Sequence, residues 1–310
     1  MLSIRSLRRL GLLVLVLAGS PALLAADTIR VATYNLENYL EQAVGTRPAK
    51  SDAAKAKIRE GIRALKPDVI ALQEVGGVPA LLELRAALKA EGLDFPYWNL
   101  ATGFDTNIFV AVLSKLPFTA THPHTNLNYL LGGRRMQVSR GFAEVEIKVN
   151  GGYTFTLVTA HLKSRRPVPA ADEGDMRLEE ARLLRELIDS RLAANPKANL
   201  VVLGDYNDVY DSPAPKEVVG RGATKLVDTR PAERNGDNLP NGNPRYNPRN
   251  IAWTHFYGKE DTYSRIDFIL LSPGMAKEWI QEGTYALTLP NWGLGSDHRP
   301  IVATFSTEDK

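Results

Sequence analysis

The feature that most constrains this chain is a series of short apolar segments, rich in valine, isoleucine and threonine, with turns and helical patterns between them. Segments of this length and composition are typical of β-strands that are buried on both faces. Eight are predicted as strands: residues 29–34, 69–72, 108–113, 142–149, 153–159, 200–203, 266–271 and 301–305. Between the fourth and fifth lies Asn150-Gly151-Gly152, which is a strong signal for a hairpin turn.

Amphipathic helical patterns alternate with these strands. One helix is predicted from a cap at Ser51 or Asp52 to Leu65, and two more over residues 78–90 and 175–194. Apolar strands combined with amphipathic helices predict sheets covered by helices, an α/β or mixed α+β layering.

The first 26 residues have the composition of a secretory signal peptide. Arginines precede an apolar run at 10–18, which is shorter than the roughly 20 apolar residues of a membrane-spanning helix. We therefore expect cleavage near Ala26, secretion or periplasmic residence, and no stable membrane insertion afterwards. Residues 27–310 are expected to form one domain, because no linker or repeat divides them, with a long surface loop over 230–250.

The charge balance limits the partners of the mature chain. Removing Arg5, Arg8 and Arg9 from the 38 basic residues leaves 35, which equals the 35 acidic residues. Proteins that grip long stretches of nucleic acid are usually basic, so any contact with a polyanion is expected to be local. The candidates for such contact are Arg134, Arg135 and Arg140, and Lys163, Arg165 and Arg166. The absence of cysteine excludes disulfides, thiolate metal sites and cysteine nucleophiles.

Polar side chains interrupt the predicted strands at their ends. Four strands run into such residues, and two later strands begin with them. If the first four run in one direction and the last two in the other, all six polar ends meet at one rim. The residues concerned are Asn35, Glu74, His161, Asp205, Asn207, Asp267, Asp297 and His298.

Four carboxylates at one rim, Glu74, Asp205, Asp267 and Asp297, need a bound cation or protonation. Two unit charges 4 Å apart repel by about 4 kcal/mol at an effective dielectric near 20. The available ligands are oxygens of carboxylates and amides, which suit a hard ion such as Mg²⁺, with Mn²⁺ as a substitute, better than Zn²⁺.

Six motifs in fixed order resemble those of the endonuclease/exonuclease/phosphatase superfamily, which has the deoxyribonuclease I-like fold. The motifs are residues 33–38 (TYNLEN), 72–75 (LQEV), 159–164 (TAHLKS), 204–208 (GDYND), 264–268 (SRIDF) and 296–300 (SDHRP). The resemblance implies a four-layer α/β sandwich, in which two mixed β-sheets pack face to face and helices flank them. It is specific for the superfamily and poorly specific for the substrate.

The resemblance also implies roles for the residues that bind metal and activate water. Glu74 is expected to be the main metal ligand, supported by Asn35 and, directly or through water, by Asp297. Asp205, held by Asn207, is expected to orient or deprotonate the attacking water.

The two histidines of the motifs are expected to act on the substrate. His298, kept in one tautomer by Asp267, would donate to a phosphate oxygen, and His161 would help the leaving oxygen. Some branches of the family carry a tyrosine in the region of His161. This chain therefore resembles the histidine-bearing, deoxyribonuclease I-like type. Asp105 is a further expected support for His161.

We expect the chain to hydrolyse phosphodiester bonds of DNA or RNA without a covalent intermediate. Lys163, Ser164 and Arg165 follow His161 directly, where they are expected to hold flanking phosphates of the substrate. No protein partner is evident from the sequence.

Two other functions stay open. The first is a phosphoesterase of the same fold that acts on a phospholipid head group, a sugar phosphate or an inositol phosphate. Against it, residues 209–211 read VYD and not the Asn-Tyr-Arg that inositol phosphatases carry there. The second is a binding module without catalysis, which the complete set of motif residues disfavours. His122 and His124 are expected at the surface, and His255 in a loop wall among aromatic residues.

Overall fold

The computed structural model describes residues 28–234, 243 and 250–310. The predicted signal peptide, residues 1–26, and most of the predicted loop over 230–250 lie outside the described residues. Within those ranges, no helix combines the length and apolar character needed to cross a bilayer.

The described residues form four α-helices and sixteen strands. The helices are α1 (Asp52–Leu65), α2 (Val78–Ala90), α3 (Glu173–Ala194) and α4 (Pro213–Val219). The strands are β1 (Thr28–Tyr39), β2 (Val69–Val75), β3 (Tyr97–Ala101), β4 (Phe109–Ser114), β5 (Phe118–His124), β6 (Asn128–Leu131), β7 (Arg134–Gln137), β8 (Phe142–Lys148), β9 (Thr154–His161), β10 (Leu200–Asp205), β11 (Val227–Asp228), β12 (His255–Tyr257), β13 (Thr262–Ser264), β14 (Asp267–Leu271), β15 (Trp279–Ala286) and β16 (Ile301–Ser306).

Two mixed sheets of six strands form the centre of the fold. The first has the order β15-β16-β1-β2-β4-β3, and the second has the order β11-β14-β10-β9-β8-β5. In each sheet the two central strands are parallel, β1 with β2 and β9 with β10. Two short hairpins, β6-β7 and β12-β13, stand outside these sheets.

Three apolar layers hold the sheets and helices together. The first lies between the two sheets and takes side chains from both, such as Val31 and Leu203. The second packs α3 and α4 on the outer face of the second sheet, and the third packs α1 and α2 on that of the first. The result is a four-layer sandwich with two mixed sheets face to face, so the predicted fold class is confirmed.

Local sequence signals predicted the positions of the central helices and strands to within a few residues. Asn150 closes the hairpin between β8 and β9, and its side chain accepts a hydrogen bond from the backbone amide of Gly152 at 2.9 Å. Ser51 caps α1 by accepting from the amide of Ala54 at 3.2 Å. Helix α3 begins at Glu173, two residues before the predicted start, because Asp172 is its cap.

The strands that sequence patterns missed lie mainly at the edges of the sheets. Strands β3, β5 and β15 consist largely of half-buried and exposed residues, and β11 has two residues. An edge strand covered on one side only does not show the continuous apolar run of a central strand.

Strand direction brings the polar ends to one rim, as predicted. Strand β16 is antiparallel to β1, and β14 is antiparallel to β10, with Asp205 paired opposite Asp267. The ends of β1, β2, β9 and β10 therefore meet the beginnings of β14 and β16.

Gly204 permits the close approach of β10 to β9 just before Asp205. Its φ is +133°, and a Cβ added there would lie 2.0 Å from the carbonyl oxygen of Ala160. We expect Gly204→Ala to lower the free energy of unfolding by about 3 kcal/mol, because backbone strain and overpacking add. Urea unfolding followed by circular dichroism measures this change.

Gly151→Ala is the matched control. A Cβ at Gly151 meets no atom within 4 Å, so we expect the free energy of unfolding to change by less than about 1 kcal/mol. Equal unfolding midpoints for the two variants would show that the contact at Gly204 does not constrain the strand.

Candidate active site

Asn35 links the two sheets at the rim. Its side-chain amide donates to Asp205 Oδ2 at 2.9 Å and lies 3.5 Å from Glu74 Oε1. Asn35 stands on β1 and Glu74 on β2 of the first sheet, whereas Asp205 ends β10 of the second. One amide nitrogen therefore joins carboxylates that are 131 residues apart in sequence.

A second polar contact between the sheets lies beside Glu74. The buried amide of Gln73 donates to the hydroxyls of Thr33 at 3.0 Å and Thr159 at 3.2 Å. Thr159 belongs to β9 of the second sheet, two residues before His161. These buried hydrogen bonds fix the separation of the strand ends, because a buried polar group that loses its partner is costly.

Two residues of the site have left-handed backbone conformations, Glu74 with φ 62° and Asn207 with φ 53°. Asparagine tolerates this region, but for glutamate it is uncommon and strained. The pairing register of β2 shifts around Glu74 and resumes at Val75, and the backbone amide of Asn38 donates to Glu74 Oε2 at 2.8 Å. The carboxylate is thereby held at the rim.

Asp205 is held by backbone and side chain together. Its Oδ1 accepts from the backbone amide of Asn207 at 2.8 Å. Its Oδ2 is also 3.4 Å from Asn207 Nδ2, which donates to the carbonyl of Leu162 at 3.0 Å. Asn207 thus ties Asp205 to the end of β9.

His298 and Asp267 form a buried pair. His298 Nδ1 lies 2.8 Å from Asp267 Oδ2, and the free ring nitrogen, Nε2, lies 3.7 Å from Asp205 Oδ2. The backbone amide of His298 donates to Ser296 Oγ at 3.0 Å, and that of Asp267 donates to Thr254 Oγ1 at 3.1 Å. The two hydroxyls position both members of the pair.

His161 is buried at the end of β9 and faces the same rim. Its Nε2 lies 3.5 Å from Asp205 Oδ2 and 3.8 Å from Glu74 Oε1. Its Nδ1 has no hydrogen-bond partner among the described residues. The expected support from Asp105 is absent: that carboxylate accepts from the amide of Asn107 at 2.9 Å and lies 3.5 Å from the guanidinium of Arg47.

Burial and neighbouring charges give the three groups different protonation states. Burial raises the pKa of Asp205 to about 6, Asp267 adds to the rise and His298 opposes it. Burial alone would lower the pKa of His298, but the carboxylates of Asp267 and Asp205 outweigh it and hold that pKa well above its usual range. Burial and the positive charges of Arg140 and His298 hold the pKa of His161 well below its usual range. At neutral pH His298 is therefore charged and His161 neutral.

The donor set of the rim fits a divalent cation. In the part of the chain that the structure describes, no lysine or arginine forms an ion pair with Glu74, Asp205, Asp267 or Asp297. Glu74 is partly exposed, with 18% of its side-chain surface accessible, so its carboxylate can be reached from solvent. Acidic and histidine side chains at the rim lie close enough to hold a metal ion.

The sequence model of the Endonuclease/Exonuclease/phosphatase family matches residues 32–298. The chain belongs to this family. Members of the family are hydrolases of phosphate esters. No curated protein matches the chain in sequence.

Solved structures of this family's fold superpose on most of the chain. The human Nocturnin catalytic domain with bound sulfate has a TM-score of 0.62 and 18% identity, over 90% of this chain and 94% of that chain. Truncated TDP2 from Caenorhabditis elegans has a TM-score of 0.59 and 18% identity, over 90% and 97%. A Staphylococcus aureus beta toxin has a TM-score of 0.60 and 17% identity, over 89% and 99%. At these identities the likeness establishes the fold alone.

The three residues expected to contact phosphate, Lys163, Ser164 and Arg165, have different environments in this family member. The Lys163 ammonium is buried and donates to the carbonyls of Ser164 at 3.0 Å and Arg166 at 2.9 Å, so it holds its own loop. Arg165 is half exposed and donates to the carbonyl of Asn207 at 3.1 Å and to Asp208 at 2.8 Å. Ser164 lines the neighbouring cleft.

Of the other basic candidates, Arg140 supports this loop, and Arg134 and Arg135 lie on a separate hairpin. Arg140 is buried and donates to the carbonyls of His161 and Leu162. Arg134 and Arg135 are exposed on β7 of the β6-β7 hairpin. Of the two histidines expected at the surface, His122 is exposed, whereas His124 is half-buried and lies 2.7 Å from the buried carboxylate of Glu144.

The hairpin β12-β13 is the part of the site that sequence patterns missed. His255, expected in a loop wall, lies 3.5 Å from Asp297 Oδ2, and its ring centroid is 4.6 Å from that of His298. The three-residue strands gave no periodic signal. The available hint was the sequence THFY at residues 254–257, where a histidine stands among aromatic residues a few positions before the site motif SRID at 264–267.

An open cleft of about 700 Å³ runs along the rim between the hairpin and the loop after His161. Asn207, His255 and Asp297 form its inner end. Its outer walls carry Tyr257, Lys259, Ser164, Arg165 and Arg166. The cleft therefore leads from exposed cationic side chains to the catalytic candidates.

We expect Asp267→Asn to lower the pKa of His298 by about one unit or more, because it removes the nearest negative charge from the imidazolium. Titration of the histidine ring protons by NMR, in metal-free protein, measures the shift. The charged form then disappears at a lower pH than in the wild type.

Asp189→Asn is the control for this titration. Asp189 lies on α3 and pairs with Arg185, so the pKa of His298 should not change when it is neutralised. An unchanged His298 pKa in Asp267→Asn would contradict the assignment of Asp267 as the partner that keeps the ring charged.

Proposed function

We propose that the chain is a divalent-metal-dependent phosphodiesterase that hydrolyses DNA or RNA by direct attack of water. One observation carries this proposal: a buried carboxyl with a pKa raised to about 6, Asp205, lies 3.7 Å from the ring nitrogen of a charged imidazole, His298. In this pair Asp205 can accept a proton, and the charged His298 ring can stabilise a negative charge beside it. Family membership and the complete set of motif residues support it.

Asp205 is the group that accepts a proton from the attacking water. A carboxyl with a pKa near 6 is more basic than an ordinary aspartate and is still ionised at neutral pH. Asn35 and Asn207 hold it by hydrogen bonds of 2.9 and 2.8 Å, which fix the direction of its remaining lone pairs.

His298 stabilises the negative charge that develops on the phosphate. Because Nδ1 is bound to Asp267, the proton on Nε2 faces the rim and donates to a non-bridging oxygen. His161 is neutral and its Nε2 faces the same space, so we assign it to the region of the leaving oxygen.

The metal in this proposal is Mg²⁺ or Mn²⁺. Glu74 would hold it, with Asn35 and Asp297 beside it, since carboxylate and amide oxygens are the ligands these ions prefer. Asn35 Oδ1 accepts one hydrogen bond, from the amide of Glu37 at 2.9 Å, and keeps a second lone pair. When bound, the ion neutralises charge on the phosphate and polarises its oxygens.

Nucleic acid is the substrate class that the cleft favours. Arg165, Arg166 and Lys259 are exposed and line this open cleft of about 700 Å³, where Glu260 is the acidic residue beside them. Cationic side chains along a groove hold successive phosphates of a chain, whereas a small phosphate ester needs a closed pocket. Ser164 and Arg165 are assigned to phosphate contact, and Lys163 to positioning of their loop.

We infer that the protein is exported, to the periplasm or the medium, after removal of residues 1–26. The arginines, apolar run and small residues of that segment support this inference. Amino-terminal sequencing of protein recovered from the periplasm and the medium should give a start near residue 27. An intact leader on cytoplasmic protein would refute export.

The substrate is tested with a panel of plasmid, single-stranded DNA, RNA and small phosphate esters. We expect cleavage of nucleic acid with Mg²⁺ or Mn²⁺ and none with EDTA. If only a phospholipid head group, a sugar phosphate or an inositol phosphate is hydrolysed, the nuclease proposal is wrong and the protein is a phosphoesterase of the same fold with a small substrate. If no substrate is hydrolysed with any metal, the remaining hypothesis is a binding module without catalysis.

The metal role is tested by Glu74→Gln, which removes one negative charge at the rim with little change in shape. Turnover should fall on the order of a hundredfold or more, and calorimetry should show weaker Mn²⁺ binding. Glu60→Gln, on the surface of α1, is the matched control and should change neither quantity. Near-normal turnover and Mn²⁺ affinity in Glu74→Gln would refute the assignment.

A further inference from the structure

Two imidazoles and a carboxylate meet beside the proposed catalytic groups. His255 Nε2 lies 3.5 Å from Asp297 Oδ2, and His298 Nε2 lies 3.8 Å from Asp297 Oδ1. One ligand atom from each of the three residues lies within 4.8 Å of the other two. Within the described residues, this group differs from the surroundings of Glu74, which are mainly oxygen ligands, because two of its three residues are histidines.

The backbone fixes these three residues relative to one another. His255 and His298 pair as an isolated antiparallel bridge. The backbone amide of Phe256 donates to the carbonyl of Asp297 at 3.0 Å. The backbone amide of Arg299 donates to the carbonyl of Thr254 at 2.6 Å. The imidazoles are therefore positioned by hydrogen bonds on both sides of the bridge, and the group is assembled before any ion arrives.

Two of the separations approach those of a four-coordinate metal site. With bonds of about 2.0 to 2.2 Å, the ligand atoms of a tetrahedron lie about 3.3 to 3.6 Å apart. His255 Nε2 lies 3.5 Å from Asp297 Oδ2 and His298 Nε2 lies 3.8 Å from Asp297 Oδ1, so each imidazole comes within a few tenths of an ångström of that range from one oxygen of the carboxylate. His255 and Asp297 line the cleft, so the fourth position opens to solvent.

The ligand types select among metals. Imidazole nitrogen suits Zn²⁺ and other borderline ions, whereas Mg²⁺ prefers oxygen. His298 Nδ1 lies 2.8 Å from Asp267 Oδ2, and a carboxylate behind a ligating histidine orients the ring and strengthens it as a ligand. We propose that His255, Asp297 and His298 form a second cation site, which takes Zn²⁺ or a similar transition ion beside the oxygen-rich site at Glu74.

Occupancy of this site has a consequence that rests on the proposed function. An ion that binds His298 Nε2 displaces the proton that this nitrogen would otherwise donate to the phosphate, and that proton is released to solvent. Zn²⁺ is therefore an inhibitor of hydrolysis supported by Mg²⁺, acting at the active site through residues of the β12-β13 hairpin.

Calorimetric titration of the metal-free full chain with ZnCl₂, without Mg²⁺ or substrate, tests the site. We expect one high-affinity Zn²⁺ site in the wild type and a loss of affinity of roughly 10- to 100-fold in His255→Phe, which keeps an aromatic ring at that position. His122→Phe replaces an exposed histidine on β5 and should leave the affinity unchanged. Equal Zn²⁺ affinity in the wild type and His255→Phe would overturn the proposal.

A measurement on the wild type avoids dependence on the folding of a variant. During the same titration, the NMR signals of the His255 and His298 rings should move while that of His122 stays in place. Movement of neither ring would overturn the proposal. Loss of Zn²⁺ binding in Glu74→Gln, with His255→Phe unaffected, would place the ion at the oxygen-rich site instead and would also overturn it.

The two proposals fail separately. If no nucleic acid is cleaved but Zn²⁺ binds in a manner that depends on His255, the proposed function is wrong and the second site stands. If nucleic acid is cleaved and stoichiometric Zn²⁺ neither binds at His255 nor inhibits, the second site is wrong and the proposed function stands.

Discussion

The hydrogen bond from Asn35 to Asp205 is the contact on which the site depends. It crosses from one sheet to the other at 2.9 Å, at the end of an interface that is otherwise apolar. Apolar packing sets the distance between the sheets but is not directional. The buried amides of Asn35 and Gln73 supply direction, and they align the ends of β1 and β2 with those of β9 and β10. The positions of Glu74 and His161 follow from that alignment.

The same alignment concentrates negative charge. Glu74, Asp205 and Asp267 would be easier to bury if arginines paired with them, as Asp208 is paired with Arg177 nearby. At the rim, within the described residues, the positive charge that faces these carboxylates is the imidazolium of His298. Acidic and histidine side chains there also lie close enough together to hold a metal ion. Unsatisfied charge of this kind is typical of functional sites, where local stability is lower in exchange for reactivity.

The surroundings of the rim determine what can reach it. The loop after His161 is held by buried polar groups, among them Glu180, which accepts from the amide of Lys163 at 2.6 Å. The β12-β13 hairpin forms the opposite wall and brings His255 to Asp297. The proposed substrate contact and the proposed second cation site therefore depend on the same short hairpin, so changes there should affect metal preference and substrate binding together.

The sequence by itself determined the central strands and the turn at Asn150 and narrowed the cap of α1 to Ser51 or Asp52, because burial on both faces and local capping depend on neighbouring residues. It also identified the rim residues, since polar groups such as Asp205 interrupt apolar strands. Only the tertiary structure decided the edge strands, the direction of the Lys163 ammonium and the role of His255. Edge strands lack a continuous apolar pattern, and a side chain's partner from a distant segment is set by how the sheets pack, which no local pattern records.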